Sequence, residues 1–130
     1  MSNWTHVAGI IRIDALGDKF DADKLFGKEI HFDDPIDEWR YALEHKHEYM
    51  PMGTEGSLYK SVWVNPRKSH MDRYTVSVFG DLRDHDDADE IVEWFKNICN
   101  KLGYSVRNAT ITVRNELNGM ANWTHSGEEE

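Results

Sequence analysis

Apolar and polar positions alternate along WTHVAGIIRID, residues 4–14, with Val7, Ile11 and Ile13 on one side and His6, Ile10 and Arg12 on the other. A period of two with β-branched enrichment predicts a strand. Asp21 then caps a short helical turn, DADKLF, that Gly27 stops. Asp34-Pro35 opens a second helix, with Asp37 and Glu38 in its positive first turn and Ile36, Trp39 and Leu43 at helical spacing. That helix is expected to run about four turns toward Tyr49, before Pro51 ends it. The stretch MGTEGS around Gly53 and Gly56 reads as a loop, and LYKSVWVNP and RYTVSVFGD as two strands joined by the polar NPRKSHM.

Asp87 and Glu90 form a capping pair ahead of Ile91, Trp94, Phe95, Ile98, Cys99 and Leu102, which recur at steps of three and four up to Gly103. This is the strongest helical signal in the chain. VRNATITVRNEL reads as a last strand with Ala109, Ile111 and Val113 facing the core. The order β, helix, β, β, helix, β predicts an α+β ferredoxin-like βαββαβ sandwich over residues 1–117, a four-stranded antiparallel sheet with its helices on one face. Residues 118–130 read as a mobile tail. The tetrapeptide Asn-Trp-Thr-His recurs at 3–6 and 122–125 without wider self-similarity, too little for a repeat.

Composition sharpens this picture. A net charge of −9 repels nucleic acid phosphates and anionic membranes over most of the surface, and makes a protein with a basic surface the better long-range partner. One cysteine, Cys99, excludes an intramolecular disulfide and any multi-cysteine metal cluster, and its place on an apolar helical stripe reads as structural. No apolar run reaches the ~20 residues that span a bilayer. The opening MSNWTHVAG lacks a signal-peptide layout, so a cytoplasmic chain with no membrane partner is expected. The Asn-X-Thr triplets at 3, 108 and 122 are read as chance on that ground. No GxSxG, P-loop or GxGxxG motif appears, and no cofactor is expected.

Three groups of residues carry candidate chemistry. Glu44-His45-Lys46-His47-Glu48 is rich in metal ligands, but two histidines two positions apart diverge on a helix, so a solvated helix end is the preferred reading and a metal-dependent enzyme the lesser alternative. Asp81, Asp84, Asp86 and Asp87, with Asp89 and Glu90, could hold Ca²⁺ or Mg²⁺ but lack EF-hand spacing, so helix capping is the preferred reading, and a negative patch for a basic protein surface the third. The open sheet face collects His6, Arg12, Tyr59, Ser61, Trp63, Arg73, Thr75, Ser77, Phe79, Thr110, Thr112 and Arg114. Arginines beside aromatics suit a nucleotide or single-stranded nucleic acid, with Arg12, Arg114 and Phe79 expected as neighbours and Trp63 flanking them. A homodimer covering Trp63 and Phe79 is the competing use of that face.

Met1-Ser2-Asn3-Trp4 leading into a strand, with Met52-Gly53-Thr54 before a middle strand, resembles the YubB-type ferredoxin-like proteins of phages and plasmids. The resemblance implies the ferredoxin-like fold and a mobile-element origin, and carries over no catalytic residue. With the acidic charge, small size and missing catalytic motifs, it yields the expected function: a non-enzymatic binding protein that inhibits a host protein. The nucleotide or single-strand binder is the second expectation.

Overall fold

The computed structural model describes residues 2–16, 21–32, 35–65 and 71–126. In chain order the elements are β1 (Trp4–Leu16), α1 (Ala22–Phe26), α2 (Pro35–Glu44), β2 (Met52–Gly53), β3 (Gly56–Ser57), β4 (Tyr59–Asn65), β5 (Met71–Arg83), α3 (Ala88–Leu102), β6 (Val106–Asn115) and β7 (Gly119–Ser126). β1, β4, β5, β6 and β7 form one antiparallel sheet in the order β4-β5-β1-β6-β7, and β2 pairs with β3 in a separate two-stranded ribbon.

The alternation of β1 buries Val7, Ile11 and Ile13 under α3, beside Val76 and Val78 of β5 and Ile111 and Val113 of β6. From α3, Ile91, Phe95, Ile98 and Cys99 fill the same core, and Asp87 caps the helix by accepting the Glu90 N–H at 3.1 Å. The helix lies over β6 and β7, so the inward positions at the end of β4 are left uncovered, Val62 and Val64 being 39% and 42% exposed, while Lys60 two residues earlier is covered by α1. Among the described residues no helix is long and apolar enough to cross a membrane.

The ferredoxin-like βαββαβ sandwich with a four-stranded sheet is overturned. The sheet has five strands, a second small sheet stands where a loop is expected, and helices form a minor part of the chain. The fifth strand comes from the segment read as a tail. Asn115 Oδ1 accepts the N–H groups of Leu117 and Asn118 at 3.0 and 2.8 Å, which turns the chain back onto β6. Trp123 then meets Phe95 edge-on, with centroids 6.1 Å apart. Ala121 and Trp123 are the apolar residues that β7 turns inward, with His125 as the third on that face, so the hydrophobic alternation that marks a strand is thin there.

The second helix ends at Glu44, short of Tyr49, and Lys46–Glu48 form a 3₁₀ turn. Backbone pairing wins over helical continuation: the Lys28 N–H donates to Glu48 O at 2.8 Å and the Met50 N–H to Lys28 O at 3.0 Å. Gly27 permits this approach, because at its φ of +100° a Cβ would lie 2.6 Å from the Tyr49 carbonyl carbon. Leu43 is exposed and Ala42 is buried. Asp34, the side chains of Ile36 and Trp39, most of the NPRKSHM connection and residues 127–130 lie outside the described set.

Phe95 is fully buried. Phe95→Ala should cost about 3–5 kcal/mol in urea unfolding, as a large-to-small core change. A loss below about 1 kcal/mol would mean that α3 does not pack as described.

Candidate functional site at one end of the open sheet face

Because residues directly opposite on paired strands share a face, the registers sort the open side into rows. Trp63, Thr75, Arg12 and Asn108 form one row across β4, β5, β1 and β6. Tyr59, Phe79, Ala8 and Thr112 form another, and Asp81, His6 and Arg114 a third beyond it. The expected cluster of Arg12, Arg114 and Phe79 is therefore not formed. His6, opposite Arg114, lies six residues from Arg12, about 20 Å at the strand rise, and Phe79 lies four residues from Thr75, about 13 Å. Arg12 and Trp63 are brought together, Phe79 stacks obliquely with Tyr59 at 6.3 Å, and Arg114 stands at the far end.

The Arg12 end is concave, a cavity of about 320 Å³ walled by Arg12, Asp14, Trp63, Arg73, Arg107 and Asn108. Three of the chain's seven arginines meet there. Arg73 sits opposite Asp14 across the β5–β1 ladder, with its Nε 3.6 Å from Oδ1. Arg107 reaches Oδ2 of the same carboxylate at 3.5 Å. Both separations are ion-pair distances beyond good hydrogen-bond length, and Oδ1 of Asp14 is buried with no hydrogen-bond partner. One carboxylate thus gathers two guanidiniums without consuming their N–H donors. Arg12 donates to Asn108 Oδ1 at 2.9 Å, which aims it along the same row. Three guanidiniums against one carboxylate leave two positive charges in excess, and Trp63, 60% exposed, offers an aromatic face beside them.

Neither Arg107 nor Asp14 stands among the residues expected on this face. Arg107 faces the site because β6 bulges: Arg12 pairs with Asn108 and Ile13 with Val106, leaving Arg107 as the extra residue. The signal for it is present in VRNA, where two polar residues in succession break the alternation between Val106 and Ala109.

The opposite end mixes both signs, with Arg114 in the same row as His6 and Asp81. His6 Nδ1 lies 2.6 Å from Asp81 Oδ1 and its Nε2 lies 2.9 Å from Glu116 Oε2, so one imidazole bridges two carboxylates. The rest of the acidic group is partly committed to the backbone: Asp84 accepts the Asn3 N–H and Asp87 caps α3. Of the histidines, His45 stacks on Tyr41 at 4.1 Å with Nδ1 2.9 Å from the Tyr41 carbonyl. Among the described residues no three His, Cys, Asp or Glu side chains converge as a metal site would require. Burial pushes the Cys99 thiol up to about 12, which removes it as a nucleophile near neutrality.

No protein-family model, curated protein or solved structure matches the chain. The functional reading therefore rests on geometry alone.

The hydrogen bond to Asp81, then that to Glu116, raises His6 above its ordinary 6.5, against an opposing desolvation. A folded-state value above the unfolded one means the bridge contributes fully below about pH 6.5 and is lost as pH rises through the folded value. In an NMR titration the His6 ring should therefore show a midpoint above 6.5, and Asp81→Asn should lower it. A wild-type midpoint at or below 6.5 would contradict the bridge.

Proposed function

We propose that the protein binds a nucleotide-sized ligand at the Arg12 end of the open sheet face, with phosphate held by arginine and a base stacked on Trp63. The observation that carries this reading is the convergence of Arg12, Arg73 and Arg107 with an exposed tryptophan in a chain of net charge −9. Guanidinium groups match phosphate in pairs of N–H donors, and an exposed indole stacks a base for about 1–3 kcal/mol. Arg73 and Arg107, held near Asp14 without hydrogen bonding to it, keep donors available and are partly oriented before the ligand arrives.

The cavity's size limits the ligand's length. Arg12, Arg73, Arg107 and Trp63 share one concavity of about 320 Å³, so a mononucleotide or the end of a short strand fits better than a long polyanion. The alternative in which the acidic group docks a basic host protein has less support, since Asp81, Asp84 and Asp87 each hold a partner within the chain.

Calorimetric titration with nucleotides and short oligonucleotides tests this. Arg12→Ala and Trp63→Ala should each weaken a bound mononucleotide by about tenfold or more, with melting temperature nearly unchanged for Trp63→Ala. Phe79→Ala, two rows away at about 13 Å, should leave that affinity within a factor of about two. Failure of every nucleotide to bind, or binding lost only with Phe79→Ala, would overturn the proposal.

A further inference from the structure

The five-stranded sheet ends in two edge strands, β4 and β7, and α3 lies toward the β7 side. Along an edge strand, successive backbone groups alternate between facing the paired neighbour and facing away from it. The Lys60 N–H shows which set of β4 faces away, because it donates to Glu29 Oε2 at 2.7 Å instead of to β5. β4 pairs with β5 without a register shift, so Val62 and Val64 turn their N–H and C=O groups to the same outer side as Lys60. Among the described residues nothing pairs with those outward groups of Val62 and Val64.

The open stretch is short and symmetric. Glu29 closes it at Lys60, and the residue after β4 is Pro66, which has no N–H to give. Between these stops Val62 and Val64 flank Trp63 on either side, so β4 is its own complement in an antiparallel pairing about a two-fold axis at Trp63. In that register Val62 of each copy exchanges both hydrogen bonds with Val64 of the other, and the Glu29 cap and Pro66 end the ladder beyond them. The side chains agree with the backbone. Val62 and Val64 stand on the inward face where it is left uncovered, and a second β4 sets two more valines against them. Trp63, exposed on the open face, meets its counterpart at a non-hydrogen-bonded position, where opposite side chains come closest. Residues 61–65 carry no charge, so the −9 of each copy is not concentrated at the contact.

We propose that the protein forms a two-fold homodimer by antiparallel β4–β4 pairing centred on Trp63, which joins two five-stranded sheets into one. An unpaired apolar edge strand is a template for another chain, and the occupant that matches both the free groups and the two stops is a second copy. The contact is small, so association is weak and concentration-dependent. It leaves the open face accessible, unlike a dimer that covers Trp63 and Phe79, and it stands or falls separately from nucleotide binding.

Analytical ultracentrifugation of the full chain should show a mass that moves from monomer toward dimer as concentration rises into the millimolar range. Val62→Lys places a cation on each side of the axis and should weaken dimerisation by at least about tenfold, with the melting temperature nearly unchanged. Val64→Pro removes an outward N–H and no hydrogen bond within the chain, and should act alike. Under mild oxidation Trp63→Cys should crosslink to a dimer, because a non-hydrogen-bonded antiparallel pair sets its Cα atoms about 4.5 Å apart, within disulfide reach. The chain's own Cys99 is buried and does not compete. Ser61→Cys, on the same face but two residues off the axis, should stay uncrosslinked. Should Val64→Pro fail to fold, Val62→Lys and the crosslink still decide. A wild-type chain that stays monomeric, a dimer that survives Val62→Lys, or crosslinking through Ser61→Cys instead of Trp63→Cys would each overturn the proposal. So would a dimer lost only with Phe79→Ala, which would place the contact on the open face.

Discussion

The pairing of β1 on both of its flanks is the constraint from which the rest of the molecule follows. At its middle the strand is tightly flanked: a Cβ on Gly9 would lie 3.0 Å from Val78 and 3.1 Å from Ile111, the two residues opposite it, and would need both to shift. With β5 and β6 drawn against it, β1 commits Val7, Ile11 and Ile13 to the helix side and His6 and Arg12 to the open side. Because strand side chains alternate strictly, that choice propagates across the sheet and decides which arginines, aromatics and carboxylates share a surface.

The surface that results is charged at both ends, with the aromatic pair of Tyr59 and Phe79 between them. Arg12, Arg73 and Arg107 surround Asp14 at one end, and Asp81 and Glu116 grip His6 at the other. In a chain with many more acidic than basic residues, a local positive excess is a departure from the overall field and focuses anions to one place. Two devices produce it. A cross-strand pair sets Arg73 opposite Asp14, and a single bulge in β6 swings Arg107 to the same carboxylate.

Much of the local structure is legible in the sequence. The alternation of β1, β4, β5 and β6, the Asp21 and Asp87 caps and the apolar stripe of α3 all stand where the pattern places them. Trp94 departs from the stripe only in being half-buried, since it lies beside a cavity instead of beneath the helix. What the pattern lacks is information carried by long-range pairing. β7 has two inward apolar residues and is recruited by β6 and Trp123, and the helix after Pro35 stops early because Lys28 claims the backbone of Glu48 and Met50. At the site, the face of Arg12 and Trp63 is legible, whereas their distance from Arg114 is not, because it depends on a register that no local signal fixes.

That register is therefore the feature most exposed to test. Inter-strand amide and α-proton NOEs across β5, β1 and β6, measured on the isotope-labelled chain, report it directly. The expected contacts set Arg12 opposite Thr75 on one side and Asn108 on the other, with the ladder skipping Arg107. NOEs showing a slip of one residue in either pairing, with Arg12 turned toward α3, would contradict this register and the arginine site built on it.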